Sequence, residues 1–190
     1  MPVLTELGDS PLAYDLAAQT TFPSWGYMVE NGATTLWELW EKKTGPSMNS
    51  HDHHMMGSVD AWFYEALGGI KVDPEQPGYR HVRIEPQVVR DLTSVSATVG
   101  TVRGNVTSSW THAPAVVTLA VDVPVNSTAT VTIPAGDEMT AITVREGDRA
   151  VWEQGHFVEG TPGVTAGRFE DHRATFEVGS GHYAFRLSGE

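Results

Sequence analysis

Cysteine is absent from the 190-residue chain. Disulfides, thiol nucleophiles and thiolate metal sites are therefore excluded, although the compartment is not fixed, because many secreted bacterial proteins also lack cysteine. Basic residues are scarce: 12 Lys and Arg stand against 24 Asp and Glu, a formal charge of -12. A phosphate backbone would meet net repulsion, so no nucleic-acid partner is expected. Long apolar runs are missing too. No run approaches the roughly 20 apolar residues of a membrane span, and the opening "MPVLTELGDSPLAYDL" has neither a basic start nor a sustained apolar stretch. No membrane partner is expected, and the chain reads as soluble. What is present is a globular composition, 40% hydrophobic and 19% charged, which fits one or two compact domains.

The pattern changes character near residue 70. Upstream, "PLAYDLAAQ" (residues 11–19) follows Ser10, a good N-cap with proline at the first helical position, and predicts a helix. Val59, Trp62, Phe63, Ala66 and Leu67 recur at helical spacing, and Gly68-Gly69 supplies a stop. A shorter helix is predicted over residues 35–43, with Leu36, Trp37 and Trp40 as one stripe and Gly45-Pro46 ending it. Pro74, Pro77 and Gly78 then mark a boundary, after which the period shifts towards two. The runs "RHVRIEP", "SVSATVGTVRGNVTSSWT", "AVVTLAVDVP", "TATVTIP", "AITVREG" and "RATFEVGSGHYAFRL" predict seven or eight strands. Their short turns, among them "VPVNS", "PAGD", "EGDR" and "GSGH", favour an antiparallel β-sandwich. The expected fold class is α + β, with helices in residues 1–72 and strands in residues 73–190. Trp25, Trp37, Trp40 and Trp62 are a large aromatic load for the helical part, which reads as incomplete.

Chemistry concentrates in residues 31–58, "NGATTLWELWEKKTGPSMNSHDHHMMGS". In "HDHH", His51 and His53 share a face if the segment is extended, a competent start for zinc or iron ligation. However, neither the helical His-Glu-x-x-His spacing nor a Cys partner is present, and adjacent His residues point to opposite sides of a strand, so no metal or other cofactor is expected. Glu38 lies between Trp37 and Trp40. A carboxylate among aromatics loses hydration, which raises its pKa and suits acid or base work; equally, Glu38 faces solvent one step off a buried stripe. Trp rings also make flat platforms for sugar C–H faces, so carboxylate, Trp and His together suit a carbohydrate pocket as well as a core.

The motifs "TFPSWGYM" (21–28), "NGATTLWELW" (31–40) and "SMNSHDHHMMG" (47–57) closely resemble the C-terminal part of bacterial α-L-rhamnosidases of glycoside hydrolase family 78. The likeness continues through "GSVDAWFYEALGGI", "PGYRHVRIEPQ", "TVRGNVTSSW" and "EVGSGHYAFRL", essentially the whole chain. It implies the last helices of an (α/α)6-barrel catalytic domain in residues 1–72, followed by a β-sandwich. It implies an inverting hydrolase that removes terminal α-L-rhamnose from glycosides. In family terms Glu38 matches the general base, His53 matches the His that contacts the sugar, and Trp40 is a candidate for the pocket wall. The family's general acid lies in an Asp-Glu-Arg-rich segment of the early barrel that these 190 residues do not contain. The resemblance thus implies a C-terminal piece holding the base without its acid, inactive alone. His51 and His54 depart from the family's aromatic-bearing "SFNHYAFG", and the lost aromatic at position 51 leaves the shape of the pocket open.

Helices shaped for a closed barrel expose apolar faces when their neighbours are missing, so self-association through residues 1–70 is expected. The alternative reading is a non-catalytic β-sandwich that binds carbohydrate or only supports structure. In that reading Trp110 and Trp152 are the candidate sugar platforms, unless they belong to the core.

Overall fold

The computed structural model describes residues 1–136 and 138–190; Asp137 of the expected "PAGD" turn lies outside the described residues. The backbone divides into two compact units, Met1–Phe63 and Tyr64–Glu190. The first carries α1 (Pro2–Glu6), α2 (Ser10–Ala18), α3 (Trp25–Glu30) and α4 (Ser58–Trp62), with single 3-10 turns at Gly45–Ser47 and His54–Met56. No helix among the described residues is long and apolar enough to cross a membrane.

Local chemistry explains where these helices start. The cap of α2 is Asp9 rather than Ser10: its carboxylate accepts from Leu12 N at 3.2 Å, and Ser10 becomes a buried first residue. Asp serves as well as Ser here, and its charge adds a favourable interaction with the helix N-terminus. Ser24 caps α3 through a 2.9 Å bond from Tyr27 N to its Oγ. The helix expected over residues 58–67 forms as α4 followed by a π-helical turn, Phe63–Leu67. Val59, Trp62, Ala66 and Leu67 are buried as expected, but Phe63, at the widened turn, is exposed. Trp62, 1% exposed, donates its Nε1–H to Thr5 Oγ1 at 2.9 Å and so ties α4 to α1.

The helix expected over residues 35–43 does not form. Its backbone is used elsewhere: Glu38 N–H bonds to Ser50 O at 3.0 Å, and His53 N–H bonds to Leu36 O at 2.9 Å. Non-local pairing has overridden a local propensity that Thr34 and Thr35 already weaken.

The second unit begins with the end of the π turn and continues as β1 (Ile70–Val72), β2 (His81–Ile84), β3 (Ser94–Thr101), β4 (Gly104–Ala113), β5 (Val116–Val123) and β6 (Thr128–Pro134). It ends with β7 (Thr143–Glu146), β8 (Arg149–Glu153), β9 (His156–Phe157), β10 (Val164–Glu170), β11 (Arg173–Val178) and β12 (Gly181–Ser188). The described residues thus hold more strands than the seven or eight expected: β1, β8 and β9 are short segments with little periodicity, and β10, with Gly167 inside it, shows no clean alternation of buried and exposed residues. They form a five-stranded sheet, β1-β2-β6-β11-β10, and a seven-stranded sheet, β3-β4-β5-β12-β7-β8-β9. Pairing is antiparallel except between β2 and β6, which run parallel. That exception follows from connectivity, since the chain leaves β2 for three strands of the other sheet before returning, and parallel neighbours need such a crossover.

Alternation sets the core. In β5, Val117, Leu119, Val121 and Val123 point inward; in β12, Tyr183, Phe185 and Leu187 do. Each such Val or Leu contributes about 1.5–3 kcal/mol by leaving water. Phe176 of β11 stacks on Phe185 of β12 across the two sheets, with ring centroids 5.3 Å apart. Gly167 makes room for this layer, because a Cβ there would stand 2.6 Å from Phe157 and 2.9 Å from Phe176.

Trp110 is not a surface platform. It is 1% exposed, and its Nε1–H donates to Leu67 O at 2.7 Å. Neighbouring carbonyls at this helix end are also met: Gln87 N–H bonds to Ala66 O at 2.9 Å, and Glu85 N–H to Gly69 O at 2.8 Å. Gly69 supplies the stop the sequence suggests, at φ +74°, where a Cβ would lie 2.2 Å from Pro86 N. Trp110→Phe keeps most of the packing but leaves the Leu67 carbonyl unpaired. Urea unfolding should show a loss of about 1–3 kcal/mol; an unchanged midpoint would contradict the role given to this bond.

Tyr183 provides a pH test. Its side chain is 4% exposed, and its hydroxyl donates to Gly179 O at 3.2 Å. Burial pushes its phenol above the ordinary value of 10.0, and the charge of Glu146 adds to this. A raised folded value means the stabilisation is complete below the unfolded value, about 10, and is lost as pH rises through the folded one. Wild type should therefore lose more stability between pH 9 and 11 than Tyr183→Phe. Parallel alkaline curves for the two proteins would refute this.

Candidate functional site

The sequence candidates Glu38, His53 and Trp40 all fall in the first unit, on two segments that lie side by side. Residues 36–38 are bridged to residues 50–53 by the two backbone bonds already described, and Thr35 Oγ1 adds a third bridge to His51 O. Lys42 Nζ donates to Asn31 O at 2.8 Å, which closes residues 31–42 into a loop on the end of α3.

Glu38 is half-buried, and Ser50 N–H donates to its Oε2 at 3.0 Å. The carboxylate is therefore oriented by its partner segment rather than enclosed by its two Trp neighbours in sequence. This bond leaves Oε1 available to accept a proton or a hydroxyl. His53 is half-buried and caps the 3-10 turn His54–Met56, with its Nδ1 accepting from Met55 N–H at 3.1 Å. Because Nδ1 accepts, a neutral His53 carries its proton on Nε2, where it can donate to a ligand oxygen. The strand-like alternation assumed for "HDHH" does not hold: the backbone turns here, and the His53 and His54 rings stack 4.9 Å apart. Among the described residues no three His, Asp or Glu side chains converge as a metal-binding group.

Trp40 is half-buried and meets the ring of Trp25 edge to face, centroids 5.2 Å apart. Trp25 in turn donates Nε1–H to Met56 O at 3.0 Å, at the turn that follows His53. Glu38, His53 and Trp40 are thus held in one framework that runs through Trp25. Trp37 packs, at 2% exposure, against the His51 ring at 5.4 Å, with Lys42 Nζ 5.8 Å from its centroid. Nearby, His51 Nε2 and Asn49 Oδ1 are buried without a hydrogen-bond partner among the described residues. The contacts that Ser50 and Trp25 make here are not legible in the sequence, since nothing local marks a backbone N–H twelve residues from the carboxylate it holds. A held carboxylate, an imidazole nitrogen and a half-buried Trp ring are groups of the kinds that engage a sugar ring.

The bacterial alpha-L-rhamnosidase 6 hairpin glycosidase domain matches residues 1–67, and the bacterial alpha-L-rhamnosidase C-terminal domain matches residues 69–148. An α-L-rhamnosidase of Streptomyces avermitilis is 39% identical over 98% of this chain, which spans 17% of that enzyme's length. The structure of α-L-rhamnosidase from Dictyoglumus thermophilum is similar with a TM-score of 0.86 at 39% identity, over 98% of this chain and 20% of that one. The Streptomyces avermitilis enzyme complexed with L-rhamnose gives a TM-score of 0.77 at 37% identity, over 97% and 17% of the two chains. With both domain types matched in order and these relatives aligned nearly end to end along it, the chain belongs to the bacterial α-L-rhamnosidases, whose C-terminal part it corresponds to.

Proposed function

We propose that this chain is the base-bearing part of an inverting α-L-rhamnosidase that removes terminal α-L-rhamnose from glycosides. Residues 1–72 are read as the last helices of its (α/α)6 barrel and residues 73–190 as its C-terminal β-sandwich. The matched domain edges at 67 and 69, and the division between compact units after Phe63, support a two-part division of this kind with its edge a few residues before 72, since β1 already belongs to the sheet. The observation that carries the functional reading is the bridging of residues 36–38 to 50–53, which holds Glu38 and His53 in one frame within the segment matched by the glycosidase domain.

In this reading Glu38 is the general base and takes a proton from water as that water attacks the anomeric carbon. His53 donates through Nε2–H to a sugar hydroxyl, and Trp40 forms part of the pocket wall. Inversion needs a second carboxyl group about 6.5–9.5 Å away to protonate the leaving oxygen. That acid is supplied from outside these 190 residues. The crystallised relative holding L-rhamnose supports a rhamnose-containing glycoside as substrate.

Two experiments test this. The chain alone should not turn over an aryl α-L-rhamnoside; grafted in place of the matching segment of the Streptomyces avermitilis enzyme, it should. In that hybrid Glu38→Gln should lower kcat by about 10²–10⁴-fold, the usual range for a lost general base, with KM little changed. The first-formed sugar should be the β anomer by NMR. A hybrid whose kcat survives Glu38→Gln would remove Glu38 from the mechanism, and turnover by the isolated chain would place an acid within it. The second experiment concerns association. Val3, Leu7, Leu12, Leu16, Phe22 and Val29 are all exposed on the first unit. Sedimentation should therefore show masses that rise with concentration above the 20.6 kDa of one chain. A monodisperse monomer would count against this.

A further inference from the structure

We propose that the flank of the β-sandwich around Trp152 and Phe169 is a non-catalytic binding site for a neutral sugar ring. This does not depend on the role given to Glu38.

The site begins with a defect in pairing. Trp152 on β8 faces Val144 on β7, and the register slips between Val144 and Arg145, so that Val151 is an extra residue. At such a bulge two consecutive side chains turn towards the same face. Val151 is fully buried, and Trp152 follows it to the core side but remains half-buried. Its position near the end of the seven-stranded sheet sets it against β10, the edge of the five-stranded sheet. There its ring meets Phe169, with centroids 6.2 Å apart at 34°. The result is a half-open aromatic pair at the rim of the core.

Two connections wall this pair into a cleft of about 570 Å³. One is the chain entering β7, residues 139–143. The other is the β8–β9 turn, made tight by Gln154 at φ 52° and Gly155 at φ 81°. Thr140, Thr143, Glu153 and Gln154 give the cleft hydroxyl, carboxylate and amide groups beside the aromatic faces. No Lys or Arg lines it among the described residues, and the chain carries a net charge of -12. A phosphate or carboxylate would find no countercharge. A ligand with one apolar C–H face and a rim of neutral hydroxyls fits both surfaces, and that description is a sugar ring. A second hollow, about 430 Å³ over the five-stranded sheet, makes no such demand. Its Arg83 and Arg173 are already paired with Glu85, and its Arg168 with Glu170.

The test is a ¹H–¹⁵N titration of the whole chain with methyl α-L-rhamnoside and, separately, methyl β-D-glucoside. Saturable shifts of the Trp152 indole N–H and of amides in residues 140–143 and 153–155, with either sugar, are expected. A Thr143→Val, Gln154→Gly double variant removes rim groups while suiting the positive φ at 154. It should weaken that response by roughly tenfold, the effect of one or two lost hydrogen bonds, and Trp152→Phe should weaken it without unfolding the sandwich. No shift at the cleft with either sugar would overturn the proposal, as would cleft shifts indifferent to all these variants. Shifts confined to residues 36–40 and 50–54 would also overturn it, while leaving the Glu38 reading intact.

Discussion

A helix that ends inside a protein must find partners for its last carbonyls, and the rest of this fold is arranged around that requirement. Ala66, Leu67 and Gly69 give up their carbonyls to Gln87 N–H, the Trp110 indole and Glu85 N–H. Only glycine can make the turn at position 69 with Pro86 so close. These bonds fix β2, the segment after it and β4 relative to the incoming chain, and the register of β4 then passes through β5 and β12. Trp110 belongs to the core because its N–H has a buried carbonyl to satisfy. An identical residue with that group free would stand a better chance of facing a ligand.

The same rule applies to some of the other Trp residues, though not to Trp37, which is buried through its contacts with His51 and Lys42. Trp62 is committed through Thr5, and Trp25 through Met56, so each acts as a strut. Trp40 and Trp152 are held by ring contacts with Trp25 and Phe169 and keep part of their surface open. Composition treats all of these alike. Their N–H and ring partners, which come from distant parts of the chain, distinguish the struts from the rings left partly open.

That is also the boundary of what the sequence makes legible. Strands such as β5 and β12 declare themselves because a half-buried sheet imposes a period of two on every residue. The helix of residues 58–67 is equally visible, up to the π turn that exposes Phe63. Glu38 and His53 could be named because ordered motifs resembling a known family surround them, whereas periodicity alone put Glu38 in a helix that does not exist. Residues 35–43 fail as a helix because Ser50 and His53 compete for the backbone groups of Leu36 and Glu38, and no local pattern reports a partner a dozen or more residues away. Asp9 in place of Ser10 as the cap of α2 is a smaller error of the same type, since two adjacent good caps leave the choice to context.

Under the proposed assignment, the locality of the Glu38 frame has a mechanistic meaning. Everything that orients the carboxylate lies within a short stretch: Ser50 by its N–H, Leu36 and His53 by the adjoining pair, and Trp25 through Trp40 and Met56. An inverting base stands about 6.5–9.5 Å from its acid, with room for the attacking water between them, and in this reading the acid comes from another part of the enzyme. A segment can therefore preorganise the base completely and still be unable to cleave a glycoside. In this reading the rest of the enzyme supplies both the acid and an apolar surface over residues such as Leu12 and Leu16, which α2 leaves exposed.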